Sequence, residues 1–348
     1  MAGVITLADV VSARERTARF LHRTPSVASA TLGEELGASV HLKLELFQKT
    51  GSFKPRGAFN TLLEHSKRGV DRGVVAFSGG NFAQAVAYAG RMLGLRVRVL
   101  MPEGTPANYL AATRGYGAEV ELMPTMAETI ERTEDYRSQG WTFVHPFDHP
   151  LMMAGNGTLG VELLEEVPEA TDVLVSIGGG GLMTGVAVAV KALKPQVRVW
   201  GVETEGADAM SRALAAGRVV SIEPSSLART LGAPYVAEDA LRVAREQLEG
   251  VIVVSDGEAF GALVDLIERA KLVSELSAAC TLAAARRLRG ELGSDRHLVL
   301  VLCGGNISVR DLCELERLFG AGAAKSGLDA EGAVQAGKSR DREAGEGS

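Results

Sequence analysis

The chain has 348 residues, 46% of them hydrophobic, and 37 basic against 43 acidic side chains give a formal net charge of −6. That length supports one large or two medium domains with substantial cores, and a mildly acidic chain without basic runs argues against nucleic acid or an anionic membrane as partner. Three cysteines, Cys280, Cys303 and Cys313, without CxxC spacing indicate neither a disulfide framework nor a zinc site.

Taken in order, the chain opens with Arg14, Arg16 and Arg19 alternating with apolar residues. That is an amphipathic helix rather than a basic-then-apolar leader, so a cytoplasmic location is expected. Next comes Lys49-Thr50-Gly51-Ser52-Phe53-Lys54-Pro55-Arg56-Gly57-Ala58-Phe59-Asn60. A lysine between an aromatic and a proline is an odd way to begin a helix, and it makes chemical sense if Lys54 is a cofactor-bound amine. Short β-branched runs then alternate with helical stretches. Val74 to Phe77 precedes Phe82 to Leu93, and Val97 to Met101 precedes Asn108 to Tyr116. Val173 to Ile177 precedes Leu182 to Leu193, Val197 to Val202 precedes Ala207 to Ala216, and Leu298 to Leu302 precedes Ser308 to Leu318.

Strands alternating with helices predict parallel α/β sheets, because parallel neighbours need crossovers. The strands are too many for one compact sheet, so the prediction is two lobes: 1–72 with 149–320 as the larger, and 73–148 inserted as the smaller. The uncharged run from Val173 to Val190 is long enough for a membrane span, but Gly178 to Gly181 near its start fit a buried strand, a tight loop and a buried helix better. Residues 321–348 hold Val334 as their one β-branched residue and are expected to be a disordered tail.

Three glycine loops follow predicted strands, at the carboxyl edge where parallel sheets bind ligands. They are Ser78-Gly79-Gly80-Asn81, Gly178 to Gly181, and Cys303-Gly304-Gly305-Asn306. Backbone N–H groups of such a loop with a helix amino end form an anion site, and phosphate is the obvious guest. The glycines are not a GxGxxG fingerprint, although Glu203 lies about twenty residues on and leaves a dinucleotide or nucleotide-binding α/β protein as a remote alternative. No Lys-Ser/Thr of a nucleotide-triphosphate loop follows them. His145 and His149 are spaced like zinc ligands, but Pro146 between them reads as a loop.

Together these segments resemble, in order, the motifs of fold-type II pyridoxal-phosphate enzymes, whose fold is similar to the tryptophan synthase β chain. Within that class they look like the threonine/serine dehydratase and serine racemase group. Gly51-Ser52-Phe53-Lys54-Pro55-Arg56-Gly57-Ala58 matches the lysine motif and Ser78-Gly79-Gly80-Asn81 the substrate loop. Gly178-Gly179-Gly180-Gly181-Leu182 matches the phosphate loop and Cys303-Gly304-Gly305-Asn306 the pyridine-nitrogen motif. Weaker agreements are Gly155-Asn156-Gly157-Thr158, Val202-Glu203, and Glu275 ahead of Ala278-Ala279. The resemblance implies pyridoxal 5′-phosphate held covalently by Lys54, which then acts as the base on the substrate Cα proton. It implies Phe53 against the ring, Asn81 on the phenolic oxygen, Gly178 to Gly181 with Leu182 on the phosphate, and Cys303 opposite the pyridine nitrogen. It further implies a small amino-acid substrate and a homodimer.

Departures from the family pattern narrow the reading. Phe82 stands where histidine is usual and cannot donate a hydrogen bond. Gly79 stands where racemases place a serine, so racemisation is disfavoured and elimination preferred. A mono- or divalent cation at Glu203 with the Ala207 carbonyl is a further expectation, weakened because Ala209 replaces the second acid of metal-activated relatives. The expected activity is dehydration and deamination of L-threonine or L-serine to a 2-oxo acid and ammonia. The alternatives are racemisation, β-replacement, or dehydration of another hydroxy amino acid.

Overall fold

The computed structural model describes residues 5–70, 72–291 and 293–320; the expected disordered tail lies outside them. The chain divides into Met1–Asn306 and Ile307–Ser348. Among the described residues of the second unit, 309–320 form a helix, whose start is marked by Ser308 accepting from the Asp311 N–H.

In the first unit the strands are β1 (Ser26–Ala28), β2 (Ser39–Leu44), β3 (Val74–Phe77), β4 (Val97–Pro102) and β5 (Glu119–Met123). They continue with β6 (Thr142–Phe143), β7 (Asp172–Ser176), β8 (Arg198–Thr204), β9 (Gly250–Val254) and β10 (His297–Leu302). The helices begin with α1 (Leu7–Thr17), α2 (Ala30–Leu36), α3 (Pro55–Arg68), α4 (Asn81–Met92), α5 (Ala107–Gly115) and α6 (Met126–Ser138). After them come α7 (Pro150–Glu166), α8 (Gly181–Leu193), α9 (Ala209–Ala216), α10 (Glu238–Gln247), α11 (Asp256–Glu268) and α12 (Leu276–Arg287).

Two sheets result. One runs β1-β2-β10-β7-β8-β9 and the other β5-β4-β3-β6; the four strands of the second all fall between residues 73 and 148. Every pairing is parallel except β1 with β2, as strand–helix alternation requires. The uncharged run from Val173 to Val190 is β7, the glycine turn and α8, all buried apart from Gly178. Among the described residues no helix is long and apolar enough to cross a membrane.

Glycines let α7 sit unusually close to its neighbours. A Cβ on Gly155 would lie 2.5 Å from the Arg56 carbonyl oxygen, and one on Gly157 would lie 2.8 Å from that of Gly185. That close approach is the physical content of Gly155-Asn156-Gly157-Thr158. It also brings Thr158 and Glu162 of α7 onto Arg56.

Arg56 is fully buried and makes bidentate contacts with Glu45 at 2.7 Å and with Glu162 at 2.7 and 2.8 Å. Lys43, also fully buried, donates to the Thr24 carbonyl and to Glu166. Burial would raise the Glu45 pKa, but the Arg56 guanidinium overrides it and holds the carboxyl below its ordinary value. Lys43, Arg56, Glu45 and Glu162 thus share one interior site, and Glu166, part-buried, joins Lys43 to Arg23 at its edge.

Candidate active site

Thr50 (φ 61°) and Gly51 (φ 73°) turn the chain sharply before Lys54. Gly51 is required there: its φ is left-handed, and a Cβ would meet Asn306 Oδ1 at 2.6 Å. The chain then extends, and Ser52 forms an isolated antiparallel bridge with Gly304. The Phe53 N–H donates to the Cys303 carbonyl at 3.0 Å, and the Gly305 N–H to the Gly51 carbonyl at 2.9 Å. Two motifs some 250 residues apart in sequence are therefore one strapped structure. Pro55 occupies the first turn of α3, where a missing N–H costs no intrahelical bond.

The Lys54 amine donates to the Pro146 carbonyl at 3.2 Å and lies 5.1 Å from the Phe53 ring centroid and 5.8 Å from that of Phe82. Burial pulls its pKa down to about 8, and the nearby Cys303 and Glu275 limit the fall. Phe82, which the family pattern marks as a lost hydrogen-bond donor, is buried and supplies apolar wall to the amine. This desolvation keeps a usable fraction of the lysine neutral near pH 7.

The second loop ends in an open helix terminus. Gly180 caps α8 with φ 92°, no side chain accepts from the helix's first N–H groups, and the first turn carries no acidic residue. Its first residues, Gly181 to Thr184, are buried. The glycines are packed from below, since a Cβ on Gly179 would lie 2.3 Å from the Phe147 ring and one on Gly180 2.4 Å from the Ala240 Cβ. A buried, uncapped helix amino end suits an anion such as a phosphate. Together with a buried amine of lowered pKa and an aromatic wall, the donor set fits pyridoxal phosphate. Gly179→Ala should crowd the Phe147 ring and displace the loop; we expect it to weaken cofactor binding by about tenfold or more and to cost about 1–3 kcal/mol of stability, measured by cofactor titration of the apoprotein and by thermal melting.

Asn81, the first residue of α4, donates to Glu275 Oε1 at 2.6 Å and accepts from the Asn306 amide at 2.7 Å. Thr230 donates to Glu275 Oε2 at 3.1 Å, and the Tyr109 hydroxyl lies 3.5 Å from that oxygen and 2.6 Å from the Asn306 carbonyl. Burial raises the Glu275 pKa against these donors. The sequence marks Glu275 only weakly, and Tyr109, Thr230 and Phe147 not at all, because each comes from an element without a motif. In the substrate loop, the Gly80 N–H donates to Ser78 Oγ at 3.2 Å, and a Cβ on Gly79 would sit 3.0 Å from Thr105 Oγ1.

Cys303 is buried at the end of β10, and burial, Glu275 and Cys280 push its thiol pKa well up. It is a neutral thiol. Leu182, in the first turn of α8, packs in the same apolar cluster as Phe53, Phe147 and Cys303.

Glu203 is engaged by donors at the amino end of α9. Glu203 accepts from the N–H groups of Met210 and Ser211 at 2.7 and 2.9 Å and from Ser211 Oγ at 2.7 Å, capping α9. Burial raises its pKa to about 7 against those donors. Ala207 donates its N–H to the Thr204 carbonyl. Among the described residues no cluster of three or more His, Cys, Asp or Glu could hold a metal ion. His145 and His149 are both acceptors from local backbone N–H groups, in keeping with the loop reading.

Comparison with known proteins agrees with this geometry. The pyridoxal-phosphate dependent enzyme family matches residues 18–304. The chain is 35% identical over 329 residues to the L-threonine ammonia-lyase of Thermotoga maritima, covering 93% of this chain and 80% of that one. It is 36% identical over 310 residues to an L-threo-3-hydroxyaspartate ammonia-lyase of Pseudomonas, covering 88% and 97%. Among solved structures it is similar to maize serine racemase, with a TM-score of 0.84 and 31% identity over 89% of this chain and 96% of the other.

Proposed function

Since the chain belongs to the pyridoxal-phosphate dependent enzyme family, we propose that it is an ammonia-lyase acting on a small, uncharged β-hydroxy amino acid, L-threonine or L-serine. The observation that carries this is the Lys54 amine, buried among aromatic rings with its pKa lowered to about 8 and strapped to the Cys303 loop. Bound pyridoxal phosphate supplies the electron sink that acidifies the substrate Cα–H. The chain's own residues do the rest. Lys54 holds the cofactor and then removes the Cα proton; the open end of α8 binds the phosphate. Asn81, fixed between Glu275 and Asn306, would be the residue to hydrogen-bond the cofactor's phenolic oxygen. Phe53 and Phe82 exclude water from the amine. Cys303, a neutral thiol directed at the Ser277 carbonyl at 3.8 Å, would set no carboxylate charge beside the ring nitrogen and so would leave the bound cofactor a milder electron sink.

Two features bear on the alternatives. Gly79 has no side-chain proton to deliver to the opposite face, which supports elimination over racemisation. The titratable groups that interact with the Lys54 amine are Cys303, Glu275 and His145, and none is a standing cation. A second carboxylate brought close to the Lys54 amine would meet Glu275 and no cationic side chain among these neighbours, which favours threonine or serine over hydroxyaspartate. Incubation with each should yield 2-oxo acid and ammonia, with kcat/KM for threonine or serine at least about tenfold above that for threo-3-hydroxyaspartate, as a worth of about 1.4 kcal/mol implies. Faster turnover of hydroxyaspartate, or accumulation of D-serine in place of 2-oxo acid, overturns the reading. No cation enters this scheme, Glu203 serving as a helix cap. A homodimer in the cytoplasm is the expected working form, the first part checked by sedimentation.

The pH dependence of cofactor capture follows from Lys54. Only the neutral amine attacks the cofactor's aldehyde, so the lowered pKa moves capture toward neutrality. Uptake by the apoprotein should accelerate as pH rises and level off above about 8, the value to which burial brings the amine. Stopped-flow absorbance across pH 6 to 10 reads this directly, and a midpoint near the ordinary lysine value of about 10.4 contradicts it.

A further inference from the structure

The His145–His149 segment contributes no group to the proposed chemistry except the Pro146 carbonyl, which accepts from the Lys54 amine. That carbonyl does not hang free. His145 Nδ1 accepts from the backbone N–H of Asp148 at 2.8 Å and of Phe147 at 3.3 Å, closing a turn with Pro146 inside it. Two donors on Nδ1 put the proton of the neutral ring on Nε2, 3.3 Å from the Tyr235 hydroxyl oxygen, which accepts it. The ring also stands edge-on to Phe77, Phe143 and Phe147, at centroid distances of 5.5, 5.9 and 4.6 Å. Burial, then the Lys54 charge and His149, hold its pKa at about 4. The ring therefore stays neutral, and Nδ1 stays an acceptor, at any working pH.

A neutral amine that donates one N–H to a fixed carbonyl has lost most of its freedom to swing its lone pair. We propose that His145 is a positioning residue for Lys54: its Nδ1 closes the 145–148 turn that holds the Pro146 carbonyl against the amine, and so fixes where the lone pair points. This rests on the reading of Lys54 as the base. The amine's other titratable neighbours are Cys303, at the end of β10, and Glu275, at the amino end of α12; both stay in place in the variants below.

Two substitutions separate the acceptor from the packing. His145→Phe keeps an aromatic ring among Phe77, Phe143 and Phe147 but cannot accept from the turn. His145→Asn loses the ring, yet its side-chain oxygen can accept from backbone N–H groups two and three residues on, as asparagine does in turns. The apoproteins are titrated with pyridoxal phosphate across pH 6 to 10, and the holoenzymes are assayed with threonine. In His145→Phe the loosened carbonyl stabilises the ammonium form less, so the capture midpoint should fall by about 0.5 to 1 unit, and kcat should fall about tenfold or more with KM nearly unchanged. His145→Asn should keep the wild-type midpoint and a kcat within about threefold of wild type. A wild-type midpoint and kcat in His145→Phe overturns the proposal, and so does an equal shift in both variants, which would assign the effect to the ring. The midpoint is read without turnover. A wild-type protein that captures the cofactor but releases no 2-oxo acid therefore refutes the lyase reading while leaving the test of His145 intact.

Discussion

Lys54→Ala should lose the visible absorbance of covalently held cofactor and release 2-oxo acid at least about 10³-fold more slowly than the wild type. The size of the loss follows from how specialised the amine's surroundings are. Lys43 is committed to the Thr24 carbonyl and Glu166, so it cannot take over. The loss should not come from unfolding. Burial lowers the Lys54 pKa from 10.5 to about 8, so the folded apoprotein carries an ammonium it would rather not hold. For a base with a lowered folded pKa the penalty is full below the folded value and vanishes above the unfolded one. Apo Lys54→Ala is thus relieved of a penalty on the order of 3 kcal/mol below pH 8, which offsets the cavity left by the side chain. Its advantage over the apo wild type should shrink as pH rises from about 8 to about 10.5. Thermal melts at three pH values check this, and wild-type turnover by the variant places the base elsewhere.

Arg56→Met is expected to destabilise the protein by about 3–5 kcal/mol, the cost of stranding buried charges whose partner is gone. Glu45 and Glu162 each lose a bidentate guanidinium, and Lys43 beside them contacts Glu162 at 3.4 Å. Arg56 holds the Glu45 pKa below its ordinary 4.5, which contributes stability above that pH and loses it as pH falls. The variant has no such contribution, and protonation relieves its stranded carboxylates. The gap between variant and wild type should therefore be widest at pH 7 and narrow as pH drops through about 4.5. Chemical denaturation at pH 7 and pH 4.5 measures it. Adding Glu45→Gln and Glu162→Gln to Arg56→Met should recover much of the loss at pH 7. If it does not, the network is not what the arginine stabilises.

The glycine loops were legible in the sequence because they break strand-to-helix transitions whose chemistry is local. Gly181 to Leu193 forms α8, where the apolar run from Leu182 predicts it, and β3, β4 and β10 fall on the β-branched runs. Other predicted elements start early. The run from Ala207 is a helix only from Ala209, since Asp208 stands at its cap and Ala207 is held in a bridge with Thr204. The strands β1, β2, β5, β6 and β9 and the helices α2, α6, α10 and α11 carry no motif, and their place comes from packing; α7 and α12 carry only the weak agreements Gly155-Asn156-Gly157-Thr158 and Ala278-Ala279. The same holds within the site. Tyr109 and Thr230 reach Glu275 from 166 and 45 residues away, so no spacing rule reveals them. Glu203 was expected to face a cation, and both its oxygens face the amino end of α9, because a buried carboxylate is satisfied most cheaply by nearby orphan N–H groups.

The position of β10 has a consequence for how the protein is born. It lies between β2 and β7, yet it is the last strand among the described residues, ending at Leu302. While the ribosome is still short of that residue, β2 and β7 each lack a neighbour, and the Lys54 loop lacks the Cys303 strap that holds it. Synthesis runs at roughly 5–20 residues per second, so some 250 residues separate the lysine from its partner by about 12 to 50 seconds. Such a nascent chain presents unpaired strand edges of the kind that attract chaperones. It should gain its cofactor only once the Cys303 loop has been made and has closed on the Lys54 loop, which makes vitamin capture a report on the closing of that strap rather than a guide to it.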